Sequence, residues 1–293
     1  MSDQGRLPVS KTYKLYVGGA FIRSESGRTF AERDAAGSLV GNICKASRKD
    51  LRDAIRKARG AQGGWSKRTP FNRSQIVYRI AEVLETRRGI FEELLVRVCG
   101  LSAEDARSDL DIAVDRTFWY AGWCDKFSQA LGGINPVGAP YFNFSLPDPQ
   151  GVVCLMSSRT SPLLGLLSGI LPAIVPGNTC VVIADNAAAS ITLELGEVLA
   201  TSDVPGGVVN LLTGEREELL PHAAGHMDVN TLAVFGGEPE QLARIQDAAA
   251  ENIKRVREFD DPEAAVWRGR ECQSPYWIEK FCEWKTAWHP VGV

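Results

Sequence analysis

Residues 151–184 read GVVCLMSSRTSPLLGLLSGILPAIVPGNTCVVIA. Two continuous apolar runs, Gly151-Val-Val-Cys-Leu-Met156 and Thr179 to Ile183, flank a helical segment over 162–175. A strand apolar at every position is buried on both faces, as in a parallel sheet covered by helices. Downstream, a helix over Ala188 to Ala200 leads to a third such strand at Val208-Val-Asn-Leu-Leu212. A fourth, Thr231 to Phe235, precedes a helix over 238–255. Strand and helix alternate through about 100 residues, which predicts a doubly wound α/β domain with a parallel sheet.

Upstream, Tyr141-Phe-Asn-Phe144 lies among Gly132-Gly133, Pro136 and Pro140 and reads as a strand or hairpin edge. Ser102-Ala-Glu-Asp105 has capping-box spacing and opens a helix running to Phe127. Apolar stripes at helical period fill 73–98, with a bend at Arg88-Gly89, and a further helix spans Asp50 to Gln62. Residues 14–23, KLYVGGAFIR, read as two short strands joined at Gly18-Gly19.

The 293 residues are 44% hydrophobic with a net charge of −3, which excludes general disorder and gives no nucleic-acid footprint. The longest apolar stretch, Leu163 to Val175, is too short to span a bilayer, and no membrane association is expected. Met1-Ser-Asp-Gln-Gly-Arg6 lacks a cationic segment followed by an apolar one, so the expected compartment is the cytoplasm. Seven scattered Cys, odd in number, fit reduced core thiols. With no CxxC and three His, no metal site is expected; His222 and His226, next to Pro221 and Gly225, read as a loop-end pair.

Several pieces, in order and correctly spaced from residue 14 to about 256, resemble the aldehyde dehydrogenase superfamily. They are LYVGGAF (15–21), Pro149-Gln-Gly-Val-Val153, Leu171-Pro-Ala-Ile-Val-Pro-Gly-Asn-Thr179, Val204-Pro-Gly-Gly-Val-Val-Asn-Leu-Leu-Thr-Gly214 and Asn252-Ile-Lys-Arg-Val256. The resemblance implies a Rossmann-like N-terminal domain with a small bridging β-sheet, made from about 130–148 plus the tail. It also implies the family's chemistry: a Cys thiolate attacks an aldehyde, hydride leaves to a nicotinamide cofactor, and a Glu-activated water hydrolyses the thioester.

The positions that would carry this chemistry depart from the family's pattern. Thr160 stands where the family's oxyanion-donating Asn falls, and Phe259 stands at the general base, with Glu258 one residue away. Ile183 and Asn186 replace the Lys and Glu that hold the adenosine ribose. Gly236-Gly237 retains the glycine of the pyrophosphate turn without its Ser, and remains a candidate cofactor contact. Cys272, near Arg268 and Arg270, is the candidate for a displaced nucleophile, against a plain linker thiol.

Only 31 residues follow Pro262, so the resemblance implies that the catalytic domain is missing. The expected organisation is a degenerate dinucleotide-binding domain over 1–262 and an oligomerisation tail over 263–293. This is similar to the non-catalytic C-terminal region of family-16 aldehyde dehydrogenases. The expectation is a non-catalytic assembly or regulatory subunit with no cofactor, forming a homo-oligomer or a complex with a full-length aldehyde dehydrogenase. Residues 283–292 are expected to pair with a hairpin near 130–148 of another subunit. The alternative is an active enzyme using NAD or NADP.

Overall fold

A computed structural model describes residues 9–292. The reading of Met1 to Arg6 as free of a secretory leader concerns residues outside that range. Strand β1 (Thr12–Tyr13) is followed by β2 (Leu15–Val17) and β3 (Ala20–Ile22). Gly18 and Gly19 both adopt positive φ between β2 and β3, the turn that matches the twist of a two-residue hairpin. A second hairpin, β4 (Thr29–Arg33) and β5 (Leu39–Cys44), escaped the sequence reading.

Helix α1 (Arg48–Ser66) starts at Ser47, whose hydroxyl accepts from the Asp50 N–H while the Asp50 carboxylate accepts from the Ser47 N–H. Helices α2 (Pro70–Thr86) and α3 (Arg88–Cys99) break at Arg87, next to the expected bend. Helix α4 (Ala103–Trp123) is capped by Ser102 as expected but stops at Trp123, and α5 (Phe127–Leu131) begins beyond a turn. Then come β6 (Gly133–Asn135), β7 (Tyr141–Pro149), β8 (Val152–Met156), α6 (Leu164–Ile174), β9 (Thr179–Ala184), α7 (Ala189–Ala200), β10 (Val209–Thr213), α8 (Arg216–Gly225), β11 (Thr231–Phe235) and α9 (Pro239–Ala250). The chain closes with β12 (Arg255–Phe259), α10 (Ala264–Trp267), α11 (Pro275–Glu279) and β13 (Cys282–Pro290).

The main sheet has the order β12-β11-β8-β9-β10-β2-β3, with the first five strands parallel. Alternate residues of β8 face opposite cores. Val153 and Leu155 pack with α2, α3, α4, α6 and α7, whereas Val152, Cys154 and Met156 pack with α1, α8 and Ile245 of α9. The helix expected over 238–255 is α9, but it ends at Ala250, and a strand the sequence reading lacked, β12, begins at Arg255. It lies at the sheet edge and carries Arg255, Arg257 and Glu258, so its charges hide the apolar pattern of the inner strands.

A separate three-stranded sheet has the order β13-β7-β6. Tyr141 to Phe144 therefore lies in its middle strand rather than at an edge. Strand β13 runs antiparallel along all of β7, from Cys282 opposite Pro149 to Pro290 opposite Tyr141. Where pairing of 283–292 with another subunit's hairpin was expected, the structure pairs β13 with β7 of the same chain. The cause lies at the start of β13: Gln150 Nε2 donates to the Cys282 carbonyl at 2.8 Å, and Asn178 Nδ2 donates to the Phe281 carbonyl at 3.0 Å. These bonds hold β13 beside the end of β7.

Candidate functional site

Ligands of open parallel sheets bind beyond the carboxyl ends of the strands, where the strand order reverses. Here β9 and β10 lie to one side of β8 and β11 and β12 to the other, so the crevice opens between the ends of β8 and β11. Ser157 to Thr160 leave β8 at this point, and Gly236-Gly237 leave β11.

The crevice holds a carboxylate from the chain itself. Asp261, two residues beyond β12, accepts the Ser158 hydroxyl at 2.5 Å, the Arg159 N–H at 2.7 Å and lies 2.9 Å from the Thr160 hydroxyl. The Ser158 oxygen in turn accepts the N–H groups of Thr160 and Ser161, at 3.1 and 3.0 Å. Gly236 adopts φ +60°, and a Cβ placed there would lie 2.7 Å from the Asp261 Cβ. Its glycine is therefore required both by backbone conformation and by the close approach of Asp261.

Thr160 is fully engaged. Its oxygen accepts the Trp267 indole N–H at 2.9 Å, and its single proton faces the Pro262 carbonyl at 2.6 Å and the Asp261 carboxylate. Phe259 is buried, stacked on Phe235 with ring centroids 4.6 Å apart and an interplanar angle of 17°. Trp277 and Phe281 pack on it from the tail, and the Lys280 ammonium lies 4.4 Å from its ring centroid. Glu258 points to the other side, accepting from Gln246 of α9 at 2.8 Å.

Cys272 is buried, and its thiol faces the Val266 carbonyl at 3.5 Å. Burial pushes the thiol above its ordinary value, against the opposing pull of Arg116. Arg268, expected beside the sulfur, instead donates to Asp109 at 2.5 Å and Asp105 at 2.7 Å. Ile183 is wholly buried in the core, and Asn186 donates to Glu215 at 3.2 Å. His222 lies within α8 rather than in a loop and His226 caps it; among the described residues no cluster of His, Cys, Asp or Glu joins them as a metal site.

A cleft of about 360 Å³ separates α8 from α9, lined by Arg159, Glu217, Pro221, Glu238, Glu240 and Arg244 among others. The start of α9 carries Glu238, Pro239 and Glu240. Helix N-termini attract anions through free N–H groups and a positive dipole. Here Pro removes one N–H, and two carboxylates already face that positive end.

Sequence reasoning missed Asp261, Ser158 and Arg116. Arg116, buried in α4, donates to the Ser168 hydroxyl and to the Trp267 carbonyl, both at 2.7 Å, and to the Gly269 carbonyl at 3.2 Å. It thereby binds the segment after Pro262 to α4 and α6. Neither periodicity nor spacing marked Asp261 or Arg116. Among the described residues no helix is long and apolar enough to cross a membrane.

The sequence profile described as "Aldehyde dehydrogenase family" matches residues 21–257. The chain is 31% identical over 249 residues to the putative aldehyde dehydrogenase DhaS of Bacillus subtilis, covering 84% of this chain and 50% of that protein. It is 24% identical over 278 residues to the D-glyceraldehyde dehydrogenase (NADP(+)) of Thermoplasma acidophilum, covering 94% and 55%. Among solved structures, the NAD+ complex of aldehyde dehydrogenase from Bacillus cereus aligns with a TM-score of 0.79 at 25% identity, covering 85% of this chain and 51% of that one. The chain thus spans about half the length of the curated relatives it matches.

Proposed function

Because the chain belongs to the aldehyde dehydrogenase family, we propose that it is a non-catalytic dehydrogenase-like subunit, acting in assembly or regulation with copies of itself or with a full-length aldehyde dehydrogenase. The observation that carries this reading is the Asp261 carboxylate bound into the crevice between β8 and β11. The family's chemistry needs an oxyanion donor, a base and a thiolate. Thr160 spends its hydroxyl on Trp267, Pro262 and Asp261; Phe259 has no proton to exchange; Cys272 is a buried thiol.

The residues present do not fit a dinucleotide. A pyrophosphate at the crevice would meet the Asp261 carboxylate and the acidic start of α9. The relatives' cofactor chemistry therefore supplies no step here.

Assembly is supported by the small sheet. Its edge strand β13 exposes Trp284 (46%) and Trp288 (60%), and Ile134, Tyr141, Phe142 and Leu146 are exposed on its neighbours. An apolar surface beside an unpaired strand edge favours docking of another chain. Light scattering combined with an NAD(P)H assay over a panel of aldehydes tests the reading. The expected result is a mass above that of the monomer, lowered in W284E/W288E, and no reduced cofactor. Turnover that disappears in C272A would overturn it in favour of an active enzyme.

A further inference from the structure

Away from the strand ends, a groove of about 570 Å³ runs between the start of α1 and the end of α8. It is lined by Arg48, Lys49, Arg52, His222 and His226, with Leu51 and Pro221 as its apolar part. No carboxylate is among these lining residues. Arg48, Arg52 and Arg56 follow one another a turn apart on α1, a spacing at which like charges repel. Arg48 and Lys49 also occupy the first turn of α1, where the backbone dipole is positive and the buried Asp50 carboxylate, turned back to cap the helix, offsets part of it. Lys49 lies 3.0 Å from Glu25 and Arg52 lies 2.9 Å from Asp53, but these are exposed pairs that water weakens. Arg48 and Arg56 make no ion pair among the described residues.

We propose that this groove binds a small organic phosphate carrying two or more negative charges. Guanidinium groups present paired N–H donors that match phosphate oxygens, and a bound polyanion would relieve the repulsion along α1. The groove's size falls in the range of small-molecule pockets, and Leu51 and Pro221 offer contact to the organic part. Its concave form between two helices, about 570 Å³ in volume, favours a small ligand over an extended polyanion or a lipid surface. This inference does not rest on the reading of the crevice, so either can fail alone.

The test is titration calorimetry of the full chain with inorganic pyrophosphate and, separately, fructose 1,6-bisphosphate at fixed ionic strength. The expected result is saturable binding, weakened at least tenfold in R48A/R52A and unchanged in R244A, which alters the cleft between α8 and α9. If the double variant does not match the native circular dichroism spectrum, H222A replaces it, with an expected weakening of about threefold. No saturable binding, equal weakening in R244A, or binding only to phosphatidylserine vesicles would overturn the proposal.

Discussion

The Asp261 carboxylate and the Ser158 hydroxyl lie 2.5 Å apart although 103 residues separate them in sequence. The bond ties the loop after β12 to the loop after β8, across the crevice between β8 and β11. Asp261→Ala leaves the buried Ser158 hydroxyl and the Arg159 N–H without their acceptor. The expected loss is about 1–3 kcal/mol of stability. Urea denaturation measures it, and a change below about 0.5 kcal/mol, the ordinary scatter of surface substitutions, would show the contact to be idle.

Phe259→Glu restores the residue type that the family resemblance places there, yet it sets a carboxylate among Phe235, Trp277 and Phe281. Burying a charge among these rings, even with Lys280 near enough to offset part of it, outweighs any gain from a base. The expected outcome is destabilisation by about 3 kcal/mol or more, with no aldehyde oxidation. A stable variant that reduces NAD in the presence of an aldehyde refutes this.

Arg116→Met removes the guanidinium that holds the Trp267 and Gly269 carbonyls while keeping much of its volume. Hydrogen exchange is expected to speed up across 264–281 and to stay unchanged in the inner strands β8 and β9. Uniform acceleration would mean that the segment opens only with the whole fold.

Glu194 supplies the pH dependence. Burial pushes its carboxyl up, but hydrogen bonds from Lys11 and Arg87, both at 2.5 Å, outweigh burial and leave it below its ordinary value near 4.5. A lowered folded-state value stabilises the protein above the ordinary value and ceases to do so as pH falls through the folded one. The stability difference between wild type and E194Q is therefore expected to be largest above pH 4.5 and to shrink on further acidification. A difference independent of pH would exclude the mechanism.

The inner strands were legible because burial on both faces leaves an unbroken apolar run, as in Val152 to Met156. Strand β12 was not, because an edge strand needs no such run and Arg255 and Arg257 look like solvated residues. The departures at Thr160, Phe259 and Ile183 were visible as residue types. What replaced their roles was not, since Trp267, Trp277 and Asp261 reach the crevice through a tail whose path has no periodic signal. The own-chain pairing of β13 was hidden for a similar reason. Alternation in Trp284, Thr286 and Trp288 marks a strand without saying which edge it meets.

Ser145 and Thr286, bonded across the small sheet at 2.8 Å, are 141 residues apart in sequence. At roughly 5–20 residues per second, translation takes on the order of 10 s to deliver the second strand after the first. During that interval β7 emerges with one flank unclaimed, its backbone N–H and C=O groups from Tyr141 to Pro149 open on the side that β13 later pairs. Nascent-chain handling therefore matters more for this strand than for the sequential strands β8 and β9. Premature pairing with another ribosome's product would give a strand-exchanged dimer, a kinetic route to association distinct from docking of finished subunits.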